Sequence, residues 1–255
     1  MTANAFAAGA TLVSLAFACS TFERWLVRRR RHELAWSVAL AMFAIGSAAL
    51  WAGAALGWDA WSFRLFYLFG GVLNVPFLAL GTVYLLAGQQ IGDRVGAVLC
   101  LVGAFAAGVL TIAPLRHAVA PHRFPEGHDL FGVLPRVFAG VGSGIAATVI
   151  IGGAVWSAIR LVRHRGPSRM AAANVLIAAG TLLISAKALF EGLGDDETAF
   201  AAALASGISV VFVGFLLTNA PVHRAEPDAP AALTAGGLQE AEPEPAGAGS
   251  AQGAP

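Results

Sequence analysis

Uncharged apolar stretches recur along almost the whole of this chain, and each of about twenty residues can cross a hydrocarbon layer of about 30 Å as a helix. In lipid every backbone amide must find its partner inside the protein, so such stretches fold as helices. The stretches fall at about 5–26, 34–56, 63–87, 95–114, 136–160, 170–190 and 198–219. The expected fold class is all-α, a polytopic integral membrane protein with a seven-helix transmembrane bundle over residues 1–222. Residues 223–255 consist largely of Ala, Pro, Glu and Gly without aromatics, so they are expected to form a disordered tail.

Composition excludes other classes. The 255 residues are 57% hydrophobic and 12% charged, with a mean hydropathy of +0.71, whereas soluble domains carry roughly 25% charged residues. A soluble enzyme and a disulfide-framed secreted domain are therefore ruled out. A net charge of +1 supplies no field to gather nucleic acid. Cys19 and Cys100 are read as small residues packed in the interior, not as a disulfide.

Arginine placement sets the orientation. Arg24, Arg28–Arg31, Arg94, Arg160, Arg163, Arg165, Arg169 and Arg224 fall on one side, eleven of the sixteen cations. The positive-inside rule then puts the N-terminus outside and the C-terminus in the cytoplasm. Trp25, Trp36 and Trp156 mark one interface, and Trp58 and Trp61 the other. The basic cluster follows the first apolar run, so that run reads as a retained span, not a cleaved signal. Fifteen arginines against one lysine, with abundant Ala and Gly, suggest a bacterial protein of the cytoplasmic membrane.

Three spans, a linker span and three more invite a 3+1+3 repeat, with Leu26-Val27-Arg28 matching Leu161-Val162-Arg163, and Gly57, Asp59, Gly71 and Thr82 matching Gly192, Asp195, Gly207 and Thr218. In span number and orientation the chain is similar to the SWEET-type sugar transporters and to the seven-helix sensory modules that precede some bacterial histidine kinases. The former carry helix prolines; here Pro76 alone lies deep in a span, and no Pro-Gln pair occurs.

Candidate site residues are few. Pro76 removes a backbone donor, frees the Val72 carbonyl and favours a kink beside Asn74 and the Gly70-Gly71 pair. Together these make a small polar niche, the first candidate for a ligand. Lys187 and Glu191 form a second candidate near the outer end of the sixth span, where a lysine can snorkel to its carboxylate. Arg136, following Pro135, and Asp59 complete the charged outer face. Asp195 or Asp196 is placed to cap the last helix. Glu23 adjoins the arginine cluster and is expected to pair there.

His117, His122, His128, Glu126 and Asp129 share an outer loop but match no ligand spacing, so no metal is assigned. No catalytic residue and no cofactor is assigned either, because no span carries paired histidines, an H-E-x-x-H motif or paired carboxylates. The expected partners are the bilayer and a membrane or cytoplasmic protein. Gly53–Gly57 and Gly140–Gly144 have the spacing for close helix packing, the latter also for a homodimer. The function expected is a non-enzymatic sensor or accessory protein with an outward-facing pocket. The alternatives are a small-solute transporter with its site near Asn74 and, third, a lipid-modifying enzyme.

Overall fold

The computed structural model describes residues 2–163, 176, 179, 180, 183 and 196–219. All regular structure among these residues is helical, and six helices are long and apolar enough to cross a membrane. We label them α1 (Thr2–Arg28), α2 (Arg31–Leu56), α3 (Ala60–Ala87), α4 (Gln89–Ile112), the short α5 (Gly127–Leu130), α6 (Val133–Arg163) and α7 (Asp196–Asn219). The expected span at 170–190, the Lys187–Glu191 pair, Asp195 and the tail at 223–255 lie wholly or mostly outside the described residues.

Small residues set the packing. On α1 the buried positions are Ala7, Ala10, Ser14, Phe17, Ala18 and Thr21, a seam at three- and four-residue spacing that lies against α2 and α7. The Ser14 and Thr21 hydroxyls donate to the carbonyls of Ala10 and Phe17 one turn back, so no polar hydrogen is left idle in the seam. Ser37 of α2 donates to the Ala18 carbonyl at 3.0 Å and ties the pair together. Beyond α2 lies α3, and α3 in turn carries both α4 and α6, which barely touch each other.

Glycine decides two contacts and two turns. A Cβ on Gly46 would stand 3.0 Å from the Gly70 backbone nitrogen, so α2 and α3 cross backbone to backbone there. A Cβ on Gly53 would run into the Trp58 ring, so this glycine makes room for a side chain and does not pack two helices. Gly57 and Gly88, with φ of +93° and +84°, end α2 and α3 in the left-handed region. Among the described residues, Gly140 and Gly144 meet nothing within 4 Å. The expectation of close helix packing through Gly53–Gly57 is therefore corrected, and Gly140–Gly144 makes no such packing with the described residues.

Three further expectations change. Cys19 and Cys100 are free and exposed on the outside of the bundle, not packed within it. Trp58 is only 3% exposed, so it is a core residue and not the expected interface anchor, whereas Trp61 is exposed. Glu23 is exposed and has no ion pair among the described residues; the carboxylate that meets the arginines is Glu33.

Candidate functional site

The middle of α3 departs from α-geometry. Ala60–Leu65 is α-helical, Phe66–Leu73 is a π-helix and Asn74–Ala87 is α-helical again. Pro76 accounts for the change, because its ring excludes the usual bond to the carbonyl four residues back and the preceding turns widen. The interhelical bond made nearby goes to Gly71, one residue before the carbonyl expected to be freed: the Ser143 hydroxyl of α6 donates to the Gly71 oxygen at 3.0 Å.

This segment forms the floor of an aliphatic cleft. Because α4 and α6 both pack on α3 but barely on each other, a gap of about 470 Å³ remains between them. Val72, Leu73, Pro76, Ala79 and Leu80 lie beneath it. Val95, Val98, Val102 and Gly103 form one wall, and Val137, Val141, Gly142 and Ile145 the other. From Val95 to Ala106 the wall spans about 16 Å, at a rise of about 1.5 Å per residue. No lining side chain among the described residues bears a hydrogen-bonding group. An unsatisfied polar group placed there loses several kcal/mol, so the cleft suits hydrocarbon.

Of the expected site residues, Pro76 lines the cleft and Asn74 does not. Asn74 is half-buried and shares a helix face with Gly81, seven residues on, which packs against Trp36 of α2. Among the described residues its side chain makes no hydrogen bond. Arg136 lies exposed in the first turn of α6 after Pro135, as proline at a helix start implies. Asp59 caps α3: its Oδ1 accepts from the Ser62 backbone at 2.6 Å, and its own N–H donates to Ser62 Oγ at 3.0 Å. The bonds from the Ser62 backbone and hydroxyl, in that order, hold its carboxyl below the usual aspartate range. These four residues do not form one site.

Both ends of the bundle are closed by contacts that sequence spacing did not reveal. Beside Asp59, Trp58, Phe66, Phe124 and Phe200 form one ring cluster, with centroids 5.6–5.9 Å apart. Phe63, Tyr67 and Phe131 form a second, at 4.9–5.8 Å. Arg64 donates to the carbonyls of Leu110 and Ala113, the latter at 2.8 Å, and so caps the C-terminus of α4. Edge contacts of this kind contribute about 1 kcal/mol per pair beyond area burial.

At the opposite, arginine-rich end, Arg24 meets Glu33 at 3.0 Å, with Arg28 at 4.0 Å from the same oxygen. The Glu33 side chain is 1% exposed, and the Arg24 guanidinium lies 4.6 Å from the Phe215 ring of α7. One charge pair thus fastens α1, α2 and α7. Its remaining polar atoms, Arg24 Nε and Nη1 and Glu33 Oε2, are buried without a hydrogen-bond partner among the described residues. Nearby, Asp93 of α4 accepts from Tyr84 at 2.8 Å and meets Arg31 at 3.4 Å, which joins α2, α3 and α4.

The histidine loop resolves into one small cluster. His128 Nδ1 lies 3.1 Å from Glu126 and Nε2 lies 3.1 Å from Asp129. Each ring nitrogen faces a carboxylate oxygen. Ligand atoms of the three residues fall within 4.8 Å of one another, and all three residues lie on the surface or are partly buried. His117 and His122 stand outside the group. Comparison of the chain with protein-family models, with curated proteins and with solved structures finds no match.

Proposed function

We propose that this is a multi-pass membrane protein without chemistry of its own, a sensor or accessory subunit, whose binding element is the cleft between α3, α4 and α6. Its ligand on this reading is an apolar chain drawn from the bilayer. The observation that supports it is the lining: about 470 Å³ bounded, among the described residues, by aliphatic side chains, glycine and the Phe138 ring. That volume lies within the range of about 300–1,000 Å³ usual for small-molecule sites. The outward-facing pocket expected from the sequence gives way, on this reading, to a lateral one.

A hydrocarbon chain already in lipid gains nothing from leaving water. Binding in the cleft therefore draws on packing against fixed side chains, and it selects by shape. The π-segment suits a sensor, because such segments mark functional positions in helices and this one links two regions. Phe66 at its start belongs to the aromatic cluster and Leu73 at its end to the cleft. An occupant that displaces Leu73 would be felt at Phe66.

The orientation proposed is that of the positive-inside rule, with the N-terminus outside and the arginine-rich end in the cytoplasm of a bacterial inner membrane. A transporter remains the second reading, and the side chain of Asn74, with no hydrogen bond among the described residues, favours it. Native mass spectrometry of the full chain released in mild detergent tests the first reading. A retained apolar molecule that is lost in Val141→Trp supports it; a chain that retains none, or retention unchanged by Val141→Trp, overturns it.

A further inference from the structure

The turn between α1 and α2 places four arginines in a row, Arg28 to Arg31, all exposed. Of the carboxylates nearby, Glu23 is exposed on α1 and pairs with none of the four among the described residues. Glu33 lies behind the turn, walled off and held mainly by Arg24, and Asp93 takes Arg31. Arg29 and Arg30 meet no carboxylate among the described residues. These two arginines therefore present positive charge that no carboxylate among the described residues neutralises.

Arg29 is also held in an unexpected way. Its φ is +53°, the one non-glycine residue in the left-handed region among those described. Glycine adopts that conformation more cheaply, so the position bears a guanidinium where the backbone alone would favour none. The guanidinium lies 5.1 Å from the Trp25 ring, a cation–π contact that fixes it at the level of a tryptophan. Trp36 stands at the same end of α2, against His32. Tryptophans gather at the headgroup depth of a bilayer.

From this we infer that the Arg28–Arg31 turn is a docking surface for the phosphate headgroups of anionic phospholipids. Charge complementarity carries the assignment, and depth selects the partner: lipid phosphates lie where these arginines end. The inference does not rest on the cleft, which involves other helices.

The test compares the full chain in phosphatidylcholine nanodiscs with and without phosphatidylglycerol of the same acyl chains. Lipid retained on the protein and melting temperature are the readouts. Phosphatidylglycerol is expected to be enriched around the protein and to raise its melting temperature, with both effects weakening as salt rises. Arg29→Gly is expected to fold at least as well, since it relieves the backbone. It should weaken phosphatidylglycerol binding roughly fivefold, and Arg30→Gln by a similar factor. Equal retention of the two lipids would overturn the inference, as would unchanged binding in both variants. Displacement of the lipid by inorganic phosphate or by polyglutamate at equal charge would likewise overturn the membrane as the source.

Discussion

The Ser143 hydroxyl of α6 reaches the Gly71 carbonyl of α3 at 3.0 Å, five residues before Pro76. This single bond joins the wall of the cleft to the widened part of its floor. Ser143→Ala is expected to destabilise the bundle by about 0.6 kcal/mol, the mean for an interhelical hydrogen bond in a membrane. Denaturant titration in detergent checks this value. Pro76→Ala should restore a backbone donor and shorten the π-segment, which slower amide exchange around residue 76 would show.

Glu33 and Arg24 predict a coupled response. Glu33→Gln or Arg24→Gln alone leaves a charge without its partner at a buried position and should cost about 3 kcal/mol. Replacing both should cost less than the sum of the two. The measurement is a double-mutant cycle on melting or denaturant midpoints, and additive losses would show that the pair does not fasten the helices.

Packing at glycine gives a third prediction. Gly53→Ala drives a methyl group into the Trp58 ring, which the surrounding aromatic cluster prevents from moving away. A loss of about 1–3 kcal/mol is expected. Gly144→Ala meets open space, and in a monomer it should fold as well as the parent. A change of oligomeric state in Gly144→Ala would reveal a dimer through Gly140 and Gly144.

The Asp59 cap sets a pH dependence with a defined sign. Its carboxyl is held below the ordinary value, so its contribution is present above the unfolded pKa of about 4 and is lost as pH falls through the folded value. Asp59→Ala should cost about 1 kcal/mol at neutral pH and nothing at strongly acidic pH. Stability curves of parent and variant should therefore converge in acid.

Length and apolarity made the long helices legible, because a bilayer crossing constrains both. Pro135 marked the start of α6 by local chemistry alone, whereas Asp59, read as part of a charged outer face, proved to be the cap of α3. Pro76 announced an irregular helix, but a proline does not reveal whether the turns before it kink or widen. Glu33 escaped notice because its partner Arg24 is brought to it by the reversal between α1 and α2, a tertiary relation that Glu23, beside Arg24 in sequence, only mimicked. Trp58 was misread because an aromatic residue in a short loop serves equally as an anchor or a core residue, depending on whether a neighbour such as Gly53 leaves space. The cleft was invisible for a similar reason. It is a gap, set by how far α4 and α6 stand apart on α3, and its valines read along the chain like any others facing lipid.

The measurement that tests the central claim most directly is photolabelling of the full chain in a bilayer by a lipid with a diazirine on its acyl chain, followed by peptide mapping. A bound chain predicts labels concentrated on Val98, Val102, Val141 and Ile145 of the cleft, above those on Leu12, Leu15 and Leu101, which are exposed as well but lie outside it. Labels spread evenly over both groups would contradict it, and would mean that the cleft is ordinary lipid-facing surface.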